Sequence, residues 1–138
     1  MDRRRGTADD IPRPVRRFLA RCVDTVEQLE IILLLQRHPE RSWNALEVGE
    51  ALGLDHRAVA RDLEQLGTRD LLDVRLGADV RYRFSPGAPE AAAAAQRAAE
   101  AYRVSRGAVL AFVTAGRYRS LQDFSDAFRL TEDDDDDC

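Results

Sequence analysis

Asn44-Ala45-Leu46-Glu47-Val48-Gly49-Glu50-Ala51-Leu52-Gly53-Leu54-Asp55-His56-Arg57-Ala58-Val59-Ala60-Arg61-Asp62-Leu63-Glu64-Gln65-Leu66 is the stretch that decides the fold. Asn44 and Glu47 have the spacing of a capping box, which starts a helix with Leu46, Val48, Ala51 and Leu52 as its apolar positions. Gly53 ends it, Leu54 anchors the turn, and Asp55 is placed to N-cap a second helix. Val59, Leu63 and Leu66 give that second helix a buried stripe at i, i+4 and i+7, so His56, Arg57, Ala58, Arg61 and Asp62 face outward.

Downstream the period changes to two. Leu72, Val74 and Leu76 point one way and Asp73 and Arg75 the other; after Gly77-Ala78-Asp79, Val80, Tyr82 and Phe84 point inward and Arg81 and Arg83 outward. This is a hairpin with a basic outer face, closed by Ser85-Pro86-Gly87. Upstream, Thr25 and Gln28 have cap-box spacing, and Val26, Leu29, Ile32, Leu33 and Gln36 mark the inner stripe of a helix ending near His38-Pro39. Ile31, Leu34 and Leu35 make that helix apolar nearly all round, which marks it as central and buried. Arg41-Ser42-Trp43 is short and extended in character and suits a third strand beside the hairpin.

The flanks read as helices. Pro12 and Pro14 open a short amphipathic one with Val15, Phe18, Leu19, Cys22 and Val23 on its apolar face. Pro89 opens another through the alanine run 91–95 and on to Val113; Gly107 weakens it and Gly116 is its expected stop. Tyr102, Val109, Phe112 and Val113 share one face. A last amphipathic helix from about Ser120 carries Leu121, Phe124, Ala127 and Phe128. The expected organisation is therefore a basic arm (1–10), an N-terminal helix (11–24), a winged helix-turn-helix (25–86), C-terminal helices for dimerisation or docking (87–131) and an acidic disordered tail (132–138). The fold class is mainly α with a small β-hairpin.

With those residues placed, Ala51-Leu52-Gly53-Leu54 followed by Val59, Leu63 and Leu66 resembles the winged helix-turn-helix of bacterial transcription regulators of the broad MarR and ArsR type, over residues 25–85. The resemblance implies a second helix that reads the DNA major groove and a wing that reaches phosphate or the minor groove. Carried over, the DNA-binding candidates are His56, Arg57, Ala58 and Arg61, then Arg75, Arg81 and Arg83. Two positions depart from the pattern: Asp70 stands where glycine is common before the hairpin, and Gly49 where a helix alanine is usual. Asp24-Thr25-Val26-Glu27-Gln28-Leu29-Glu30, Tyr82-Arg83-Phe84-Ser85-Pro86 and Phe124-Ser125-Asp126-Ala127-Phe128-Arg129-Leu130 are similar to a group of small bacterial winged-helix proteins of unassigned function.

Charge bears on that reading. The chain of 138 residues has 21 basic groups, all arginine, against 25 acidic ones, a formal net charge of −4. Glu132 and Asp133 to Asp137 supply six of the acidic groups, so the chain through Thr131 carries 21 minus 19, or +2. An arginine near the start of a groove helix is a common reader of guanine, whereas Asp55, Asp62 and Glu64 on the same helix are placed to pair with Arg57 and Arg61 and repel phosphate. On the hairpin, like charges on adjacent strands are mildly destabilising. A phosphate backbone, acidic groups of a partner protein, or plain solvation each answers that excess.

Two function classes follow. The first is a cytoplasmic, homodimeric regulator that binds double-stranded DNA, with Tyr102, Val109, Phe112, Val113, Leu121, Phe124 and Phe128 as the dimer or partner surface. The second is a protein-interaction module that keeps the winged fold and binds no DNA. Two cysteines without metal-type spacing suggest neither a zinc site nor a disulfide framework, in keeping with a reducing cytoplasm. His38 and His56 are isolated, and neither a phosphate loop nor a nucleophile elbow is present, so no enzyme, metal or cofactor is expected. The longest run of large apolar residues, Ile31 to Leu35, is far short of the roughly 20 that span a bilayer.

Overall fold

Local signals of the kind just described place the elements of the computed structural model, which describes residues 11–123, with side chains through Gly116. In order they are α1 (Arg13–Cys22), α2 (Val26–Arg37), α3 (Ala45–Leu52), α4 (His56–Gly67), β1 (Leu72–Arg75), β2 (Arg81–Phe84), α5 (Pro89–Val104) and α6 (Arg106–Asp123). The chain divides into two compact units. One holds residues 27–92; the other joins the N-terminal helix, residues 11–26, to residues 93–123.

In the first unit, α3 and α4 form the helix-turn-helix. Both halves of the capping box are made: Asn44 Oδ1 accepts from the Glu47 amide at 2.8 Å, and Glu47 Oε1 accepts from the Asn44 amide at 3.1 Å. Gly53, at φ 71°, ends α3 in the left-handed region that glycine tolerates best. The Leu54 amide then donates to the Gly49 carbonyl at 2.9 Å, which folds the turn back on α3. A Cβ on Gly49 would stand 2.8 Å from the Leu54 carbonyl oxygen and 3.4 Å from His56 Cα. The glycine is therefore what lets α4 begin against the middle of α3.

Val48 of α3 and Val59, Leu63 and Leu66 of α4 are buried as expected. Each such side chain is worth about 1.5–3 kcal/mol relative to exposure. Leu46 departs from the reading at 53% exposed. The interior stripe of α2 is rotated too. Gln28, Leu29, Ile31, Ile32, Leu34 and Leu35 are buried, while Val26, Leu33 and Gln36 are half-buried. A helix apolar on nearly every side does not announce which side is innermost.

β1 and β2 pair antiparallel with Leu72 opposite Phe84, Asp73 opposite Arg83, Val74 opposite Tyr82 and Arg75 opposite Arg81. Trp43 adds a single bridge on the far side of β2, giving and taking one backbone hydrogen bond with Tyr82, each 2.8 Å. The expected third strand is thus reduced to one residue. Leu72, Tyr82 and Phe84 are buried, but the inward row frays toward the tip: Val74 is 41%, Val80 40% and Leu76 81% exposed. Asp70, at φ 62°, takes the left-handed conformation that glycine tolerates best.

In the second unit, α1 buries Val15, Phe18, Leu19 and Cys22 and packs against α6. Cys22 is not a free thiol, a departure from the absence of disulfides read in the sequence; Cys138 lies outside the described residues. The helix break falls at Ser105, whose carbonyl accepts from the Val109 amide at 3.1 Å, and not at Gly107. α6 continues through Gly116, so that glycine stops nothing; one glycine costs a helix only about 1 kcal/mol. Val109 and Val113 are buried at 0% and 3% exposure, so neither is open to a second subunit. Tyr102 and Phe112 are half-buried. The Leu121 side chain, Phe124 and Phe128 lie outside the described residues, as do the basic arm and acidic tail.

Candidate nucleic-acid interface

Capping and burial between them orient α4. Asp55 Oδ2 accepts from the Ala58 amide at 3.2 Å, fixing the first turn, and the Val59, Leu63 and Leu66 stripe turns the opposite side outward. On that side His56, Arg57 and Arg61 are exposed and Ala58 is half-buried. Arg57 and Arg61 stand one turn apart, about 6 Å along the axis.

The acidic residues of α4 do not occupy those arginines. Asp55 is engaged as the cap. Asp62 is turned sideways toward α2, where its Oδ1 accepts from Gln28 Nε2 at 3.2 Å. Burial raises the Asp62 pKa above its ordinary value, and the Gln28 hydrogen bond partly opposes that shift. Gln28 also donates to Gln65 Oε1 at 2.8 Å and accepts from Arg69 Nη1 at 3.2 Å, so one buried glutamine ties α2 to α4. Among the described residues, neither Arg57 nor Arg61 forms an ion pair.

The hairpin arginines are in the opposite condition. Arg81 Nη1 and Nη2 donate to Glu47 Oε1 and Oε2, both at 3.2 Å, and Nη1 donates to the Ser42 carbonyl at 3.0 Å. Its Nε lies 3.5 Å from Asp79 Oδ2, the same oxygen that accepts from Asn44 Nδ2 at 2.7 Å. The Arg81 hydrogen bond holds the Glu47 pKa below the ordinary carboxylate value, and the Asn44 amide, with Arg81, lowers that of Asp79. Arg41 approaches Glu47 at 3.7 Å while its guanidinium lies 3.6 Å above the Trp43 ring. Asp73 serves two partners, Arg83 at 3.5 Å and Arg75 at 3.9 Å.

The wing is therefore clasped to the start of α3, and most of its positive charge is answered within the chain. Of its three candidates Arg75 is the most open, with 73% of its side chain exposed, although it too lies beside Asp73 at 3.9 Å. Among the candidates, the arginines whose charge is not answered by a carboxylate within the described residues are thus Arg57 and Arg61 of α4. Glu47, Asp73 and Asp79 were the residues missed as counterions. Asp73 was within reach of two-residue periodicity, since it shares a face with Arg75; Glu47 was not, because it lies 34 residues from Arg81. Comparison with protein-family models, curated proteins and solved structures gives no match.

Proposed function

We propose that the chain is a cytoplasmic winged-helix regulator of transcription, of the MarR and ArsR kind, which binds double-stranded DNA as a homodimer. α4 enters the major groove; Arg57 and Arg61 contact base edges or phosphate and His56 lies at the entering end. The observation that carries this reading is the unengaged arginine pair on the outer side of α4, with Asp62 turned away from it. A two-fold dimer spaces two such helices about 34 Å apart, one turn of duplex. The wing contributes little charge, because Arg81 and Arg83 hold carboxylates and Arg75 lies beside Asp73.

The test is retardation of pooled genomic DNA fragments at low salt by the chain with residues 132–138 removed. Retardation that is lost on Arg57→Ala/Arg61→Ala supports the reading, and no retardation by the parent sinks it. The neutralised wing favours a second reading, a protein-interaction module without DNA. For that, the native chain would co-purify with a protein and no nucleic acid.

A further inference from the structure

Five large apolar side chains are exposed among the described residues, and Val74, Leu76 and Val80 of the hairpin are three of them. β1 is also an open edge. Tyr82 spends its backbone amide and carbonyl on Trp43, so the Val74–Tyr82 pair is a non-hydrogen-bonded one. Val74 accordingly turns its own amide and carbonyl away from β2. Among the described residues nothing meets them. Such an edge is a template for another strand, and natural proteins guard it with proline, bulges or charge. Here the only charges on it are Asp73 and Arg75, of opposite sign.

The order of residues on this edge reads the same against itself. Laid antiparallel on a second copy about a two-fold axis at Val74, Leu72-Asp73-Val74-Arg75-Leu76 sets Val74 opposite Val74. Leu72 then faces Leu76, and Asp73 faces Arg75, in both directions. The outward amide and carbonyl of Val74 are the groups that a hydrogen-bonded pair at the axis needs. Within one hairpin Arg75 faces Arg81, a like-charge pair; the second copy would place an aspartate on its other side. Across the joined sheet the charges would run Arg83, Asp73, Arg75, Arg81, with the central aspartate–arginine contact formed between copies.

We propose that β1 is an isologous interface for a second copy of this chain, joining two hairpins into one four-stranded antiparallel sheet with Val74 on the two-fold axis. The interface needs no DNA and stands whether or not α4 binds it. It also differs from the α6 surface expected from sequence, of which Val109 and Val113 are already buried.

Sedimentation velocity of the full chain over a range of concentrations tests it. The parent is expected to show a monomer–dimer equilibrium. Leu76→Asp, at a position already 81% exposed, should leave the circular dichroism spectrum unchanged and the chain monomeric. Asp73→Arg should weaken association, and Asp73→Arg/Arg75→Asp should restore it, since the swapped pair is again complementary across the axis. Val74→Cys should give a disulfide-linked dimer on oxidation beyond any formed by the parent, because Cα atoms in a hydrogen-bonded pair lie about 5.5 Å apart. Leu76→Cys, which faces Leu72, should give no such excess. A parent monomeric at every concentration, or a dimer untouched by Leu76→Asp, overturns the proposal; so does equal cross-linking by Val74→Cys and Leu76→Cys.

Discussion

Arg81 holds Glu47 with both terminal nitrogens, Nη1 to Oε1 and Nη2 to Oε2, each at 3.2 Å. Glu47 is at the same time the third residue of the α3 capping box. One carboxylate therefore couples the start of the first helix of the helix-turn-helix to the second strand of the wing. Its pKa is lowered in the folded chain. The stability it contributes is present above its unfolded value and lost as pH falls through the folded one. Glu47→Gln should lower the thermal unfolding midpoint at neutral pH, and the difference from the parent should close as pH drops below 4.5, the ordinary value. A difference independent of pH would remove the ionic part of this account.

Asp62 has the opposite sign. Its folded pKa is raised, chiefly by burial, so the charged form is penalised and its cost grows as pH rises through the carboxylate range. Asp62→Asn keeps an oxygen to accept from Gln28 and removes the charge. Its unfolding midpoint should match or exceed that of the parent at pH 7, with the advantage gone in acid. A variant markedly less stable at pH 7 would show that the ionised carboxylate is needed.

Gly49→Ala sets helix propensity against space. Alanine gains up to about 1 kcal/mol over glycine in a helix, but its Cβ would lie 2.8 Å from a backbone oxygen of the turn. Overpacking of that kind costs about 1–3 kcal/mol. The expected outcome in urea unfolding is a net loss of roughly 1 kcal/mol; a net gain would mean that the turn yields freely.

At the other end of the hairpin, Asp70 and Gly87 are coupled. A Cβ on Gly87 would collide with the Asp70 carboxylate. That carboxylate ends an exposed side chain that can swing away, so Gly87→Ala should destabilise the parent by no more than about 0.5 kcal/mol and by less still beside Asp70→Gly in a double-mutant cycle. Asp70→Gly alone should change stability by no more than about 1 kcal/mol, because relief of the left-handed backbone is offset by glycine's greater entropy when unfolded.

Where the sequence reading succeeded and failed follows from the range of each interaction. The α3 cap, the Gly53 turn, the Asp55 cap and the Val59, Leu63 and Leu66 stripe are set by neighbours within four residues, and all are present. The Arg81–Glu47 clasp and the Gln28–Asp62 contact span 34 residues each, and composition or period does not register such pairs. The inner side of α2 is not legible in sequence because its apolar residues leave no polar side for contrast. The φ of 62° at Asp70 lies in the left-handed region that favours glycine, a backbone state that a non-glycine residue does not announce in sequence.

Fluorescence anisotropy with a labelled mixed-sequence duplex, titrated over salt, decides whether the available positive charge lies on α4 or on the wing. Each phosphate contact contributes about 0.9 to the slope of log affinity against log salt. Arg57→Ala/Arg61→Ala should lower affinity and flatten that slope by up to about 2. Arg83→Ala should leave the slope nearly as in the parent. The opposite pattern, with Arg83→Ala flattening the slope and Arg57→Ala/Arg61→Ala leaving it alone, would contradict the account.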